Sequence, residues 1–244
     1  MKKKIILPAI LGILTVLSLT SCGEKPITKA EAQELYAKTI DTQHSEDYTK
    51  PKTITVNGVV DSTSDEVTTS LNFEIKYDLE NSYFYGKSTI KENDKLTTVT
   101  IYAYIKDNSF YSYIDTNGTV DASKTSVDVS GSFETVINGN DGIEIADVEY
   151  LETLKSTILS TLYLNSSTRY YSKGEGSLII DFDSSLTAEN MKVNLTFNLE
   201  IENYRLTHFM NKVVLDTGEY QSTTFDVQYD KEVVSYLDEN LFTN

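Results

Sequence analysis

Side chains that could support catalysis are few in this chain of 244 residues. It has one cysteine, Cys22, and two histidines, His44 and His208. His44 lies in a polar stretch that favours a solvated loop. His208 lies within a predicted strand, where a lone histidine is more often a packing or surface residue than a base. The motifs GxSxG, HExxH, GxGxxG and the P-loop are all missing from the sequence. These observations predict a protein that is not an enzyme.

Acidic residues are the remaining candidates for chemistry. Residues 138–142 have the composition of a calcium-binding loop, but placing Gly142 at the sixth position puts apolar residues or glycine at three liganding positions. Asp181 and Asp183 share one face of a predicted strand, which suits a wet surface as well as a ligand pair. A glycosidase would also use paired carboxylates, but the chain has no tryptophan to form a sugar platform. We expect neither a metal site nor a cofactor.

The N-terminus has the pattern of an export signal. Met1 is followed by three lysines and then by an apolar run over residues 5–19. A basic start, an apolar stretch of about 7–15 residues and small residues before a cleavage point are typical of a secretory signal. A transmembrane helix needs about 20 apolar residues, and this run is shorter and interrupted by Pro8 and Gly12. The sequence therefore predicts export.

The residues Leu19-Thr20-Ser21-Cys22 resemble the lipobox of bacterial lipoproteins. The resemblance implies a signal peptide over residues 1–21 and a diacylglyceryl group on Cys22. A disulfide would need a second cysteine and a zinc site several more ligands. Two acyl chains hold a protein stably at a bilayer, with each buried methylene contributing about 0.8 kcal/mol. We therefore predict lipidation of Cys22, a tether over residues 22–27, and a location at the extracytoplasmic face of the cell membrane.

The charge of the chain limits its partners. Its net charge is −16 and becomes more negative once Lys2, Lys3 and Lys4 leave with the signal peptide. Nucleic acid requires a basic face, so we expect no nucleic-acid partner. Anionic lipid headgroups are disfavoured for the same reason, which leaves the lipid on Cys22 as the membrane contact. The acidity is otherwise typical of solubility. The oligomeric state stays open.

Hydrophobic periodicity predicts helices at two places and strands over most of the remaining chain. Thr28 and Glu31 match a capping box, and apolar spacing predicts a helix over 29–42. Asp147 caps a second predicted helix over 147–164. A short helix near 133–137 and a loose helix or tail over 233–242 are also expected, and the polar region 116–146 has no clear pattern. Alternation of period two predicts strands over 53–61, 71–78, 82–91, 95–106, 109–115, 168–172, 177–183, 192–202, 204–216 and 220–229.

This order of elements predicts an α+β fold with a large curved antiparallel sheet, a half-barrel, that packs the N-terminal helix and a second helix on one face. A weak internal repeat of helix followed by strands fits the same pattern. We expect residues 28–244 to form a single domain. The layout is similar to the LolA/LppX-like lipoprotein fold, which implies an apolar or lipid-like ligand between sheet and helices. The alternative is a structural or interaction protein of the cell envelope without a small-molecule ligand.

Tyrosine is the remaining compositional feature, with 17 residues in the chain. If the three strands that carry them are neighbours, an aromatic surface results. One interpretation is a surface for a ligand or partner, since tyrosine combines apolar area with a polar tip. The other is ordinary cross-strand pairing on the second face of a sheet covered by helices. The six clustered tyrosines are Tyr83, Tyr85, Tyr102, Tyr104, Tyr111 and Tyr113.

Overall fold

The N-terminal helix forms as its capping signal predicts. A computed structural model describes residues 23–64, 67–126, 151–154, 168–188, 191–231 and 236–242. Helix α1 (Lys29–His44) begins after Thr28, whose hydroxyl accepts a hydrogen bond from the Glu31 amide at 3.3 Å, while the Glu31 carboxylate accepts the Thr28 amide at 2.7 Å. The helix runs two residues beyond its predicted end. His44 is therefore its last residue and not part of a loop, and it contacts Glu152 at 3.1 Å.

The described strands form one antiparallel sheet of twelve. They are β1 (Lys25–Pro26), β2 (Thr53–Ser64), β3 (Val67–Asp78), β4 (Tyr83–Glu92), β5 (Lys95–Lys106), β6 (Ser109–Thr116), β7 (Thr119–Ser126), β8 (Arg169–Ser172), β9 (Leu178–Ala188), β10 (Met191–Glu202), β11 (Arg205–Leu215) and β12 (Tyr220–Tyr229). Their spatial order is β1-β8-β9-β10-β11-β12-β2-β3-β4-β5-β6-β7. The predicted α+β class with an open curved sheet is confirmed.

Two meanders meet at the centre of this sheet. Strands β2 to β7 follow one another in space as they do in sequence, and so do β8 to β12. The seam between the meanders is the pairing of β12 with β2, which extends from Tyr220–Thr63 to Tyr229–Ile54. We call the end of the sheet with the turns 79–82, 173–177 and 203–204 the near end, and the end with the turns 93–94, 117–118 and 216–219 the far end.

Helix α1 packs on one face of the sheet, here called the helix face. Alternate residues of β2 and β9 to β12 point to this face, as the period of two requires. Among the described residues, the helix contacts β8 and β9. Ala32, Tyr36 and Ile40 of the helix join a core whose buried strand residues include Val56, Leu178, Ile180, Phe182, Leu199, Ile201 and Phe225. This core supplies most of the apolar burial of the described residues.

The second predicted helix is described only over residues 151–154, which are helical. Leu151 and Leu154 are buried in the core. The Tyr36 hydroxyl donates a hydrogen bond of 2.6 Å to the Leu151 carbonyl. The packing of this segment beside α1 is therefore as predicted, whereas the rest of 147–164 and the predicted helix at 133–137 lie outside the described residues.

A glycine is required at the sheet centre by the packing of two phenylalanines. Gly58 of β2 lies between its cross-strand partners Phe73 and Phe225. A Cβ at Gly58 would lie 2.3 Å from Phe73 Cζ and 2.8 Å from Phe225 Cβ. The Phe73 ring thus occupies the space that any larger residue would need.

Arg205 joins the loop after α1 to the sheet. Its guanidinium donates to the Tyr48 hydroxyl at 3.0 Å, to the Thr49 carbonyl at 2.9 Å and to the Asp230 carboxylate at 3.0 Å. Its guanidinium carbon also lies over the rings of Tyr48 and Tyr229, 5.6 and 5.1 Å from their centroids. The residue before Arg205, Tyr204, has a positive φ of 60° in the turn at 203–204 that joins β10 to β11.

Two strands were not predicted. β7 falls in the region 116–146 for which we expected no regular pattern; it is exposed along nearly all its length, so it has no apolar face to create an alternation. β1 pairs two residues of the predicted tether with β8, through Lys25–Ser172 and Pro26–Tyr171.

Among the helices that the structure describes, none is long and apolar enough to cross a membrane.

Candidate functional site

The six tyrosines that cluster in the sequence lie together on the face opposite α1, here called the outer face. β5 lies between β4 and β6, so the three strands that carry them are neighbours. Their register aligns the tyrosines in two rows. These tyrosine rows are Tyr83–Tyr104–Tyr111 and Tyr85–Tyr102–Tyr113. The three strands are thus neighbours, which was the condition for the tyrosines to lie together, and the tyrosines lie on the side of the sheet that does not pack against the helix.

The first row is stacked and buried. The ring centroids of Tyr104 and Tyr111 are 4.6 Å apart with an interplanar angle of 12°, and those of Tyr83 and Tyr104 are 6.1 Å apart. All three residues are at most 2% exposed. Burial raises the pKa of Tyr104 to about 12 and also raises the pKa of Tyr83. The Tyr83 and Tyr104 hydroxyls therefore stay protonated at neutral pH.

The second row is more open and its rings are inclined to one another. The centroids of Tyr85 and Tyr102 are 5.0 Å apart, and those of Tyr102 and Tyr113 are 5.9 Å apart. Lys76 places its ammonium 5.3 Å from the Tyr85 ring centroid, a distance at which a cation and a ring attract. This row therefore forms the partly exposed border of the cluster.

A C-terminal segment, residues 236–242, covers the first row. Phe242 is 7% exposed and makes edge contacts with Tyr111 and Tyr104, at centroid distances of 5.1 and 5.9 Å. Tyr236 makes similar contacts with Tyr104 and Tyr83, at 5.2 and 5.5 Å. Over its described residues 236–242, the predicted loose helix or tail is thus a short irregular segment with one 3-10 turn (Glu239–Leu241), and this segment, not a helix, lies over the first row.

Two lysines border the same cluster. Lys106 donates a hydrogen bond of 2.5 Å to the Glu239 carboxylate. This bond lowers the pKa of Glu239 and raises the pKa of Lys106. Lys124 lies over the Tyr111 ring at 5.0 Å from its centroid. The covering segment is thus held by aromatic contacts in the centre and by opposite charges at the rim.

The sequence patterns did not reveal these covering and bordering residues. The signal for them was the set of apolar side chains in an otherwise polar tail: Tyr236, Leu237, Leu241 and Phe242. Leu237 and Phe242 pack into the tyrosine cluster, whereas Leu241 is 48% exposed. Periodicity alone could not reveal the contact because the segment is too short and irregular to form a regular face.

The Tyr104 hydroxyl in the cluster is buried without a hydrogen-bond partner among the described residues. The Tyr104 side chain is completely buried, and its hydroxyl is unsatisfied in the part of the chain that the structure describes. A buried polar group without a partner costs about 1–3 kcal/mol. The packing of the segment on Tyr104 must therefore offset a desolvation cost.

The outer face also has an open polar depression of about 400 Å³ near the sheet centre, beside the second row. Its polar lining residues are Asn57, Asn72, Glu74, Lys87, Thr89, Thr224 and Asp226. His208 Nδ1 lies 2.7 Å from the Asp226 carboxylate, so it is a partly exposed residue in contact with a surface carboxylate. Asp181 forms an ion pair with Arg169. Among the described residues, no group of three or more His, Cys, Asp or Glu side chains could hold a metal ion.

On the helix face, apolar side chains continue beyond the core toward the far end. We call Val60, Leu71, Ile90, Val99, Ile101 and Ile114 the apolar strip. Val60, Leu71 and Ile90 are cross-strand neighbours, and so are Ile101 and Ile114. Ile90 is 38% exposed and Ile114 36%, while the other four are partly exposed. This strip is the described surface that could contact an apolar ligand.

Two candidates named from the sequence lie outside the described residues: Cys22 and the calcium-loop candidate at 138–142. The first described residue after Cys22 is Gly23. Residues 25–27 then run along β8, with the Ile27 amide donating to the Tyr170 carbonyl at 3.0 Å. The predicted lipidation of Cys22 stays a prediction.

The class that fold and surfaces define is an open antiparallel α+β sheet protein with an apolar helix face and an aromatic outer face. No protein-family model and no curated protein matches the chain. Among solved structures, it is similar to a DUF1329 family protein from Desulfovibrio piger, with 9% identity, coverage of 87% of this chain and 99% of that chain, and a TM-score of 0.27. A likeness with so low a TM-score carries no inference about function.

Proposed function

We propose that this chain is a lipid-anchored extracytoplasmic binding protein without enzymatic activity, and that it holds an apolar ligand against the helix face. The observation that carries the proposal is the apolar strip. It is contiguous across neighbouring strands, adjoins a packed core and remains partly exposed. Contiguous apolar surface of this kind marks interaction sites, because exposing it to water costs about 25 cal/mol per Å².

The proposed anchor is Cys22, by its resemblance to a lipobox. Supporting geometry comes from β1, which pairs with β8 so that Glu24 lies 4.0 Å from Lys173 in a near-end turn. The lipid would thus hold the near end toward the membrane. Strands β2 and β3 have 12 residues each, so the far end would stand up to about 40 Å away.

The absence of enzymatic activity is part of the proposal. In support of it, both histidines contact carboxylates at exposed or partly exposed positions, His44 with Glu152 and His208 with Asp226. The tyrosines that could act as acids have raised pKa values where burial is strong, as for Tyr104. These contacts support a structural role for the two histidines and the buried tyrosines.

Ligand binding is tested on the full chain purified in detergent from its host membrane. Native mass spectrometry should detect an added mass of lipid size, and N-phenyl-1-naphthylamine should increase in fluorescence on binding. Ile90→Asp should weaken probe binding by about tenfold or more, because a charge would then face the apolar ligand.

Leu96→Asp is the matched control, since Leu96 is an exposed apolar residue of the neighbouring strand that points to the outer face. It should leave probe binding unchanged. Equal probe binding by both variants, together with no added mass in repeated preparations, would refute the apolar-ligand proposal. That result would favour the alternative, an envelope interaction protein without a small-molecule ligand.

The anchor is tested separately by following incorporation of labelled palmitate. Cys22→Ser should abolish labelling and release the chain from the membrane fraction. As a control for the presence of a thiol, Ser45→Cys in the Cys22→Ser chain should not restore labelling, because Ser45 is exposed but outside the lipobox. Labelling that persists in Cys22→Ser would contradict the proposed site.

A further inference from the structure

We propose that the tyrosine cluster of the outer face is a docking site for an acidic peptide segment with aromatic side chains, and that the chain's own C-terminal segment occupies this site as a competitor. The site consists of Tyr83, Tyr104 and Tyr111 with the rim lysines Lys106 and Lys124. It lies on the opposite side of the sheet from the apolar strip, so it goes beyond the proposed function.

The C-terminal segment shows what the site binds. Phe242 and Tyr236 both meet the stacked row by edge-to-face contacts, an arrangement that aromatic rings prefer. Glu239 lies between them in sequence and pairs with Lys106. The chain has a net charge of −16, which disfavours an acidic segment at most of its surface. Two lysines beside an aromatic cluster therefore favour the binding of an acidic segment at this point.

The segment is held in a way that allows exchange. Its described residues add no strand to the sheet, and their hydrogen bonds to the sheet and its turns are the Lys106–Glu239 bond and a 3.5 Å bond from the Tyr236 hydroxyl to the Asn81 carbonyl. Tyr236 is 44% exposed, and Phe242 alone of the described segment is buried. Segments with so few buried contacts and backbone bonds open at low free-energy cost.

The unsatisfied hydroxyl of Tyr104 is an independent indication that the cover is not optimal. The hydroxyl is buried beneath the segment and has no partner among the described residues. A partner segment with a hydrogen-bond acceptor at this point would gain a bond that the chain's own segment does not supply. A partner of the same acidic and aromatic chemistry can therefore compete with the intramolecular cover.

The test uses the full chain in detergent and a fluorescein-labelled peptide with the sequence of residues 236–244. Phe242→Ala combined with Glu239→Lys should release the segment. Fluorescence anisotropy should then show the peptide binding at least tenfold tighter to this variant than to the unmodified chain. Leu241→Ala is the matched control, because Leu241 is an exposed apolar residue of the same segment, and it should behave as the unmodified chain.

A charge exchange tests whether the pairing of Lys106 with the Glu239 position contributes to peptide binding. Adding Lys106→Glu to the released variant should weaken the peptide severalfold, and a peptide carrying lysine at the Glu239 position should regain the loss. If the released variant keeps its circular dichroism but binds the peptide no tighter than Leu241→Ala does, the proposal is wrong.

A second measurement needs no variant and decides the question if the released variant does not fold. The isotopically labelled full chain is followed by hydrogen exchange with and without excess unlabelled peptide. Amide exchange in residues 236–242 should accelerate when peptide is present, because the added peptide displaces them. Unchanged exchange at saturating peptide would overturn the proposal.

Discussion

Replacement of Gly58 by alanine tests the central packing of the sheet most directly. The new Cβ would lie 2.3 Å from Phe73 Cζ and 2.8 Å from Phe225 Cβ. The Phe73 ring would have to move by about 1 Å, and overpacking of a core typically costs about 1–3 kcal/mol. Alanine also lowers the conformational entropy of the unfolded chain, which stabilises the folded state by about 0.4–1 kcal/mol. We expect a net loss of about 1–2 kcal/mol in the free energy of unfolding.

Gly86→Ala is the matched control. Gly86 also lies in a strand, but its new Cβ would meet only the end of the Phe84 ring, at 3.0 and 3.3 Å. That ring end can yield, so we expect a change within about 0.5 kcal/mol. Both variants are measured by urea unfolding, followed by far-ultraviolet circular dichroism, at equal protein concentration.

Combining Gly58→Ala with Phe73→Leu tests the cause of the loss. The smaller side chain leaves room for the new methyl group, so the double variant should lose about 1 kcal/mol less than the sum of the single losses. Relief should be partial, because the Phe225 Cβ contact remains. Additive losses, or a Gly58→Ala chain as stable as wild type, would refute the clash as the reason for glycine here.

Three further predictions use the same unfolding measurement. Tyr104→Phe should keep or raise the free energy of unfolding, by up to about 1 kcal/mol, because it removes an unsatisfied buried hydroxyl. Tyr36→Phe should instead lower it by about 1 kcal/mol, because the bond to Leu151 is lost. The opposite ranking would contradict the hydrogen bonding described for these two hydroxyls. Arg205→Lys should lose about 1–2 kcal/mol because lysine cannot bond three acceptors in a fixed plane; a neutral result would show that the loop after α1 is held otherwise. The Lys52 amide and Arg205 lower the pKa of Asp230, so its carboxylate stabilises the fold above the unfolded pKa of about 3.9. Asp230→Asn should thus be less stable at pH 7, and its difference from wild type should vanish as pH falls through the folded pKa of Asp230.

Strand prediction succeeded where one face of a strand is buried and the other is wet. β3 and β10 alternate cleanly, and the predicted ends of β5 and β12 agree with the structure. β7 escaped prediction because neither of its faces is buried. β1 escaped because two residues are too few to show a period. Hydrophobic periodicity arises where one face of a strand is buried, so a strand without a buried face shows no alternation in its sequence.

The candidate site was predictable in part. The spacing of the tyrosines within β4, β5 and β6 placed each pair on one face, and the order of hairpins then made the three strands neighbours. Which face they share could not follow from spacing, because both faces of these strands carry large apolar or aromatic residues. The cover by Phe242 could not follow either, since it depends on a tertiary contact between distant parts of the chain.

The seam between β12 and β2 has a consequence for how the chain reaches its fold. The pairs from Tyr220–Thr63 to Tyr229–Ile54 join strands near opposite ends of the sequence. Each meander can zip from local hairpins, but closing the seam carries the entropy cost of a very long loop, which slows folding. If the chain is exported as its N-terminus predicts, β2 emerges early, and its edge toward β12 stays unpaired until β12 has also emerged. Its unpaired edge is therefore the point at which a half-made chain would be most open to chaperones, proteases or aggregation.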